Sequence, residues 1–370
     1  MSDDGHPAVS LPRSLGRVEH ARWHGPRASV VLGGLVGILL IAAAAGVWVG
    51  SVWIHPTALI GMFWNAMPFV EMQPWWSATD QQILIGIRLP RVLAAAGVGA
   101  SLSIAGVMFQ GLLRNPLADP FVIGASGGAA MGAAAGTFLL GLQFTAFGFG
   151  VIPLLGFLGS FAAVWIVFVL ARHHGRARIS GLILVGFAVS SVAGAVNALL
   201  VMLSDQLQLR MVQTLTWILG GISVNGWTPL ATVLPVMAVG GVAGMLLTAR
   251  LNALVLGERG AVRVGVDIER TKLFVIAVAS LLTAVAVSLS GLIAFVGLLI
   301  PHAVRLVIGP NNRLLLPAAA LAGAAYLILM DLIARTLLAP MELPVGIFTA
   351  IVGSPFFIIL LRRVRGNYEF

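Results

Sequence analysis

Few residues of this chain combine a reactive type with a suggestive spacing. Arg88 and Arg91, in IGIRLPRVLAAAGVG (85–99), stand three apart, so on a helical start both guanidinia point to one side. Arg335 follows Asp331 by four residues, the spacing of a local helical ion pair. Guanidinium groups stay charged and hold carboxylates in bidentate pairs, so these arginines suit recognition rather than bond-making. Ser126 lies in GASG (124–127), a GxSG pattern that would suit an intramembrane serine nucleophile. Such a nucleophile needs a histidine base at its own depth. Downstream of His174 the chain has only His302, at the end of an apolar run behind Pro301, so a protease is a remote reading. His173 and His174, in RHHGRAR (172–178), read as solvated loop residues rather than metal ligands. A phosphate-binding P-loop needs a lysine. The one lysine is Lys272, in DIERTK, so any ATP hydrolysis belongs to another chain.

Composition says what must position these groups. Of 370 residues, 59% are hydrophobic and 9% charged, against about 25% charged in soluble domains. This is a polytopic membrane protein. The net charge of +9 comes from basic residues in short loops between apolar spans, which is a membrane-topology bias and excludes nucleic acid as partner. With no cysteine, the chain has no disulfide, iron–sulfur or thiolate zinc chemistry. Only Asp331 is arguably inside a span, which argues against a proton-coupled carrier, whose relays need intramembrane ionisable groups. The first 28 residues are polar and arginine-bearing, and a full-length span follows. That span reads as a retained first helix, not a cleaved signal.

A crossing helix needs about 20 apolar residues. Apolar runs between charges predict ten: 29–50, 92–113, 122–142, 147–171, 180–204, 228–249, 273–290, 292–309, 314–334 and 345–361. The uncharged stretch from Lys272 to Arg305 is broken near Gly291, and Pro229 divides 211–249. The piece MVQTLTWILGG (211–221) is expected to be interfacial or re-entrant. Alternating the spans puts 18 of the 22 basic residues on one side and leaves Arg88, Arg91, Arg210 and Arg335 on the other. The basic side is cytoplasmic. The expected fold is an all-α bundle of ten transmembrane helices with both termini cytoplasmic. It divides into an extension (1–28), a membrane domain (29–363) and a tail (364–370). Gly124, Gly128, Gly132 and Gly136, and Gly240 with Gly244, repeat at the four-residue spacing that lets helices approach closely. Internal packing is favoured there over a subunit interface. The loop 250–272 has room for two short helices with a turn at Gly265, and its Leu254, Val255, Leu256, Ala261, Val262, Val264 and Val266 are too apolar for a loop that touches nothing.

RLPR (88–91), GVMFQGLLRNPLADPFVIGASGGAA (106–130), LGERGAVRVGV (256–266), GLIAFVGLLIPHAVRL (291–306) and ELPVGIFTAIVGSPFFIILL (342–361) follow in order. Together they resemble the permease subunits of ABC importers for ferric siderophores, haem and cobalamin, from Leu84 to Arg363. The resemblance implies ten helices and a bacterial inner-membrane location. It implies a second permease subunit forming a pore on the shared axis, most simply a homodimer. Two cytoplasmic ATPase subunits would carry ATP and magnesium, leaving no cofactor on this chain, and a periplasmic or lipid-anchored binding protein would deliver the metal chelate.

Carried over by motif, Arg88, Arg91 and Arg335 would dock the binding protein. Gly257, Glu258, Ala261, Gly265 and Val266 would couple to the ATPase, with Ala261 and Gly265 small enough to seat a helix in its groove. Ser190, Ser191 and Asn197, on the fifth helix, would line the pore. NPLADP (115–120) would form a cytoplasmic turn with Asp119 capping the third helix. Ferric siderophore is the expected cargo on base rate, then haem, then cobalamin. The extension 1–28 and the outer segment 51–83, with Trp53, Trp64, Trp75 and Trp76, match nothing in the resemblance. These tryptophans suit a membrane interface.

Overall fold

The computed structural model describes residues 26–50, 52–65, 73–140, 145–146, 149–173, 176–177, 179–203, 211–222, 224 and 226–365. Most of the extension, Arg210 and the end of the tail lie outside them. The long helices are α1 (Pro26–Trp48), α3 (Leu89–Leu113), α4 (Ala125–Leu140), α5 (Val151–Leu170), α6 (Ile179–Leu203), α8 (Thr228–Leu254), α10 (Ile268–Ser290), α11 (Val296–Ile308), α12 (Asn312–Thr336) and α13 (Val345–Arg365). The short ones are α2 (Pro56–Asn65), α7 (Met211–Ile218) and α9 (Glu258–Arg263). Two-residue antiparallel pairs close the turns between α4 and α5 and between α5 and α6. Among the described residues, seven helical stretches are long and apolar enough to cross a membrane: 28–48, 78–113, 151–170, 180–200, 228–254, 268–290 and 312–336. Helices α4, α11 and α13, the last apolar over 345–359, lie at the remaining three expected positions.

Three boundaries differ from the sequence reading for one reason: charged residues lie inside these helices rather than at their ends. The second span does not start at 92. A turn at Ala78–Gln81 and a π-helical stretch, Gln82–Arg88, run without a break into α3. A π turn is wider than an α turn and leaves carbonyls off the regular ladder; Trp227 Nε1 donates to Ile85 O at 2.9 Å. Arg88 and Arg91 therefore lie inside a continuous helix, not at its lip. Likewise α8 continues to Leu254 and α10 begins at Ile268, so the expected loop 250–272 shrinks to 255–267. It holds one short helix, α9; the expected second one is the head of α10. Gly265 makes the turn between them with φ +81°, a conformation glycine adopts without strain.

Helix α3 is the axis of the bundle. It packs against α8, α10, α11 and α12, and its residues from Val92 to Leu113 are mostly buried. Without a hydrophobic force between helices in lipid, close backbone approach supplies the association energy. A Cβ on Gly106 would collide with the carbonyl of Gly297 at the head of α11, and one on Gly99 with the carbonyl of Gly323 in α12. The glycine stripe in α4 works the same way against α5: Gly128 meets the carbonyl of Gly159 and Gly132 that of Leu155. In α8, Gly240 faces Leu282, and Gly244 faces Ile104 and Met108. Both stripes pack inside the chain, as expected. The piece 211–221 is tucked against the bundle through Gly221 N to Ser290 O at 2.8 Å and Gly346 N to Gly220 O at 3.1 Å.

Gly106→Val should separate α3 from α11 and destabilise the protein by at least the 1–3 kcal/mol typical of overpacking. Gly241→Ala, whose Cβ would meet Ile104 at an ordinary 3.6 Å, should leave stability nearly unchanged. Thermal unfolding of both variants in one detergent checks the contrast.

Candidate functional site

Two clusters of charge sit at opposite ends of α12. Its 25 residues span about 37 Å at about 1.5 Å per residue. At one end, which the charge bias assigns to the outside, the C-terminus of α1 meets the start of α3 and the end of α12. The last carbonyls of a helix have no partner in it and carry its negative dipole end. Helix α1 has no basic residue in its last turn. Its cations come from elsewhere. Arg88 Nη1 donates to Val47 O at 3.2 Å and Trp48 O at 3.0 Å, and Arg88 Nη2 donates to Val52 O. Arg335 Nη2 donates to Gly46 O. Gly50 leaves the room: a Cβ there would fall 2.5 Å from Arg88 Nη2.

Arg91 turns the other way. Its Nε and Nη2 hold Asp331 Oδ1 at 3.0 and 2.9 Å, and its Nη1 holds Glu342 Oε2 at 2.8 Å. Asp331 also lies 3.6 Å from Arg335 Nε, so one carboxylate, 1% exposed, serves two guanidinia. The i, i+4 pair expected from spacing is present, but it is the longer of the two contacts. Glu342, which spacing gave no reason to single out, joins the set from the loop after α12.

Of the three arginines that the motifs assign to docking, two are buried in this chain. Arg88 and Arg335 are 4% and 5% exposed and spent on backbone carbonyls of α1. They stitch helices together. Arg88 does not face the same way as Arg91, because it closes the π turn and reaches back to α1. Arg91, with its side chain 13% exposed, and Glu342, 54% exposed, are the members of the cluster at the surface.

At the basic end lies the second cluster. Asn252, near the end of α8, donates to Asn311 Oδ1 at 2.9 Å and accepts from Asn312 N at 2.9 Å, tying this end to the start of α12. Helix α9 exposes Val262 on its outer side, flanked by exposed Leu256, Val264, Arg259 and Arg263. Glu258 is its exposed first residue, Gly257 precedes it with φ +83°, and Val266 N bonds Ala261 O at 3.0 Å. Ala261 is fully buried in this chain, and its small size lets α9 pack closely against its neighbours.

The turn 115–120 sits at this end. Asp119 caps a short 3-10 turn, Pro120–Ile123, by accepting from Phe121 N at 2.8 Å, rather than capping α4 directly. Burial pushes its carboxyl up to about 6 against the opposing pull of that bond. Ser126 donates to Phe121 O at 3.5 Å, with no histidine in the arrangement. It opens with Ser180, Phe187 and Ser190 onto a hollow of about 710 Å³ beside α6. Ser191 is exposed and bonds back to Phe187 O at 2.9 Å, and Asn197 has its Oδ1 buried. Most of the large apolar side chains of α6 are uncovered, including Leu184, Phe187, Val192 and Leu199.

The FecCD transport family model matches residues 38–363. The chain belongs to the FecCD transport family. It is 41% identical over 310 residues to the cobalamin import system permease protein BtuC of Halobacterium salinarum, covering 83% of this chain and 81% of that one. It is 36% identical over 344 residues to the hemin transport system permease protein HmuU of Yersinia pestis, covering 91% and 96%. A solved metal-chelate type ABC transporter in an inward-facing conformation superposes with a TM-score of 0.76 at 30% identity, covering 90% of this chain and 99% of that one. This FecCD protein is a multi-pass protein of the inner membrane.

Within it, Asp331→Asn should be costly, because breaking a buried ion pair strands its cationic partners, at about 3–5 kcal/mol. Glu342→Gln should cost well under 1 kcal/mol, the usual worth of an exposed pair. Thermal unfolding of the two variants side by side checks this; equal losses would place the stabilisation in the exposed pair.

Proposed function

We propose that this chain is the permease subunit of an ATP-driven importer whose cargo is a metal chelate of the tetrapyrrole class, cobalamin or haem. The observation that carries the importer reading is the family match across 38–363, joined to an exposed apolar and basic helix, α9, at the basic end of the bundle. A membrane protein exposes such a surface to water only where a partner covers it, and an ATPase subunit is the partner the reading supplies. Relatives named for cobalamin and hemin support this cargo class over the ferric siderophore expected on base rate; others are named for Fe(3+) dicitrate and molybdate.

In this reading two copies face each other across the pore. The uncovered face of α6 supports that arrangement, with Ser190, Ser191 and Asn197 as wall groups. At the outer end the binding protein docks over the rim formed by Arg91, Glu342 and the exposed Leu337, Leu338 and Met341. Its carboxylates compete with Glu342 for Arg91, which steers and registers the carrier more than it adds affinity. ATP binding and hydrolysis in the partner move α9, and the bundle opens to one side at a time.

Reconstituted with its ATPase and binding protein in proteoliposomes, the permease should take up cyanocobalamin or hemin only with ATP. Uptake confined to a ferric siderophore would refute the cargo class. No ATP-dependent uptake of any chelate would refute the importer.

A further inference from the structure

The one lysine of the chain is not on its surface. Lys272 lies near the start of α10 and is 4% exposed. Its ammonium is 2.9 Å from Glu258 Oε1 and 3.1 Å from Glu269 Oε1. Glu269 belongs to α10 itself; Glu258 is the first residue of α9. One charge contact therefore crosses from the membrane helix to the short exposed helix. A buried ammonium is costly unless paired, so Lys272 holds its partners where they are. A six-residue helix cannot hold itself in water, because helix nucleation is unfavourable at that length. Among the attachments that set the pose of α9 are the buried Ala261, the turn at Gly265, and Lys272. Lysine suits this point because its compact ammonium on a flexible stem meets two carboxylates from one position, whereas arginine presents a wider planar fork.

What lies beyond Lys272 gives the contact its use. Most of α10 is buried, and it packs against α3, α5 and α8. At its far end Ser290 O accepts from Gly221 N, so α10 joins the basic end to the tucked segment after α7. We propose that Lys272 is a positioning residue: through Glu258 it rivets α9 to α10, so that a push on α9 becomes a displacement of the helix that runs through the middle of the bundle. The proposal rests on the importer reading, in which an ATPase supplies the push.

Two measurements test it. Hydrogen exchange of backbone amides 258–266, on the permease without its partners, reads the rivet alone. ATP hydrolysed per cyanocobalamin or hemin moved, in the proteoliposome complex, reads transmission. Lys272→Met should speed exchange of α9 at least tenfold and raise the ATP-to-chelate ratio at least fivefold while the ATPase still co-purifies. Glu258→Gln, which changes a half-exposed residue and leaves the fold intact, should move both readings in the same direction by less. The charge exchange Glu258→Lys with Lys272→Glu should bring both back toward the wild type. Unchanged exchange in both single variants overturns the rivet, whatever transport does. Faster exchange with an unchanged ratio overturns transmission. Loss of the ATPase that the charge exchange does not restore also overturns it, because Lys272 then serves folding or docking. A wild-type complex that moves no chelate refutes the importer reading instead, and the exchange measurement still decides the rivet.

Discussion

A guanidinium inside an apolar bundle has to be matched donor by donor, and the outer end of this protein is built around that requirement. Three arginines enter where α1, α3 and α12 meet. Two of them take up the carbonyls that end α1, and the third shares Asp331 with one of those two. Each half of the bargain answers the other's deficit: the helix end has carbonyls with no donors, and the arginines need acceptors away from water. Helix α1 packs along α12 on one side, and most of the rest of its surface is exposed and apolar. The cluster fixes its outer end against α3 and α12.

The middle of the bundle is held differently. There α3 approaches α11 and α12 backbone to backbone at glycines, while polar side chains return to carbonyls of their own helices or tie neighbours together. Gln110 donates to the carbonyls of Gly297 and Leu298 and accepts from Arg305 at 2.8 Å, joining α3 to α11. The bundle is thus pinned at one end by charge and along its length by close packing. The exposed apolar and basic helix α9 stands at the other end.

Much of this was legible in the sequence, and the limits follow from physics. Helices α1, α5, α6, α11 and α12 fall within a few residues of the apolar runs that predicted them, because burial in lipid demands unbroken apolar length. The break at Gly291 and the internal role of the α4 glycines were legible for the same kind of local reason. The start of α3 was not, since Arg88 and Arg91 read as a boundary so long as their acceptors, 36 to 251 residues away in the chain, were unknown. Ala261 read as a contact for a partner because its size is visible in the sequence while the side it faces is not. The Lys272–Glu258 pair has the same cause: the lysine stood out as the only one, but nothing local says which carboxylate it meets.

The central claim is that Arg88 and Arg335 are structural ties of the outer end, closed to any partner. Treating the detergent-solubilised permease with an arginine-specific dicarbonyl and following each site by mass spectrometry tests this directly. The account predicts fast modification of Arg270, whose side chain is 80% exposed, slow modification of Arg91, and none at Arg88 or Arg335 while the protein stays folded. Modification of Arg88 at the rate of Arg270 would contradict it.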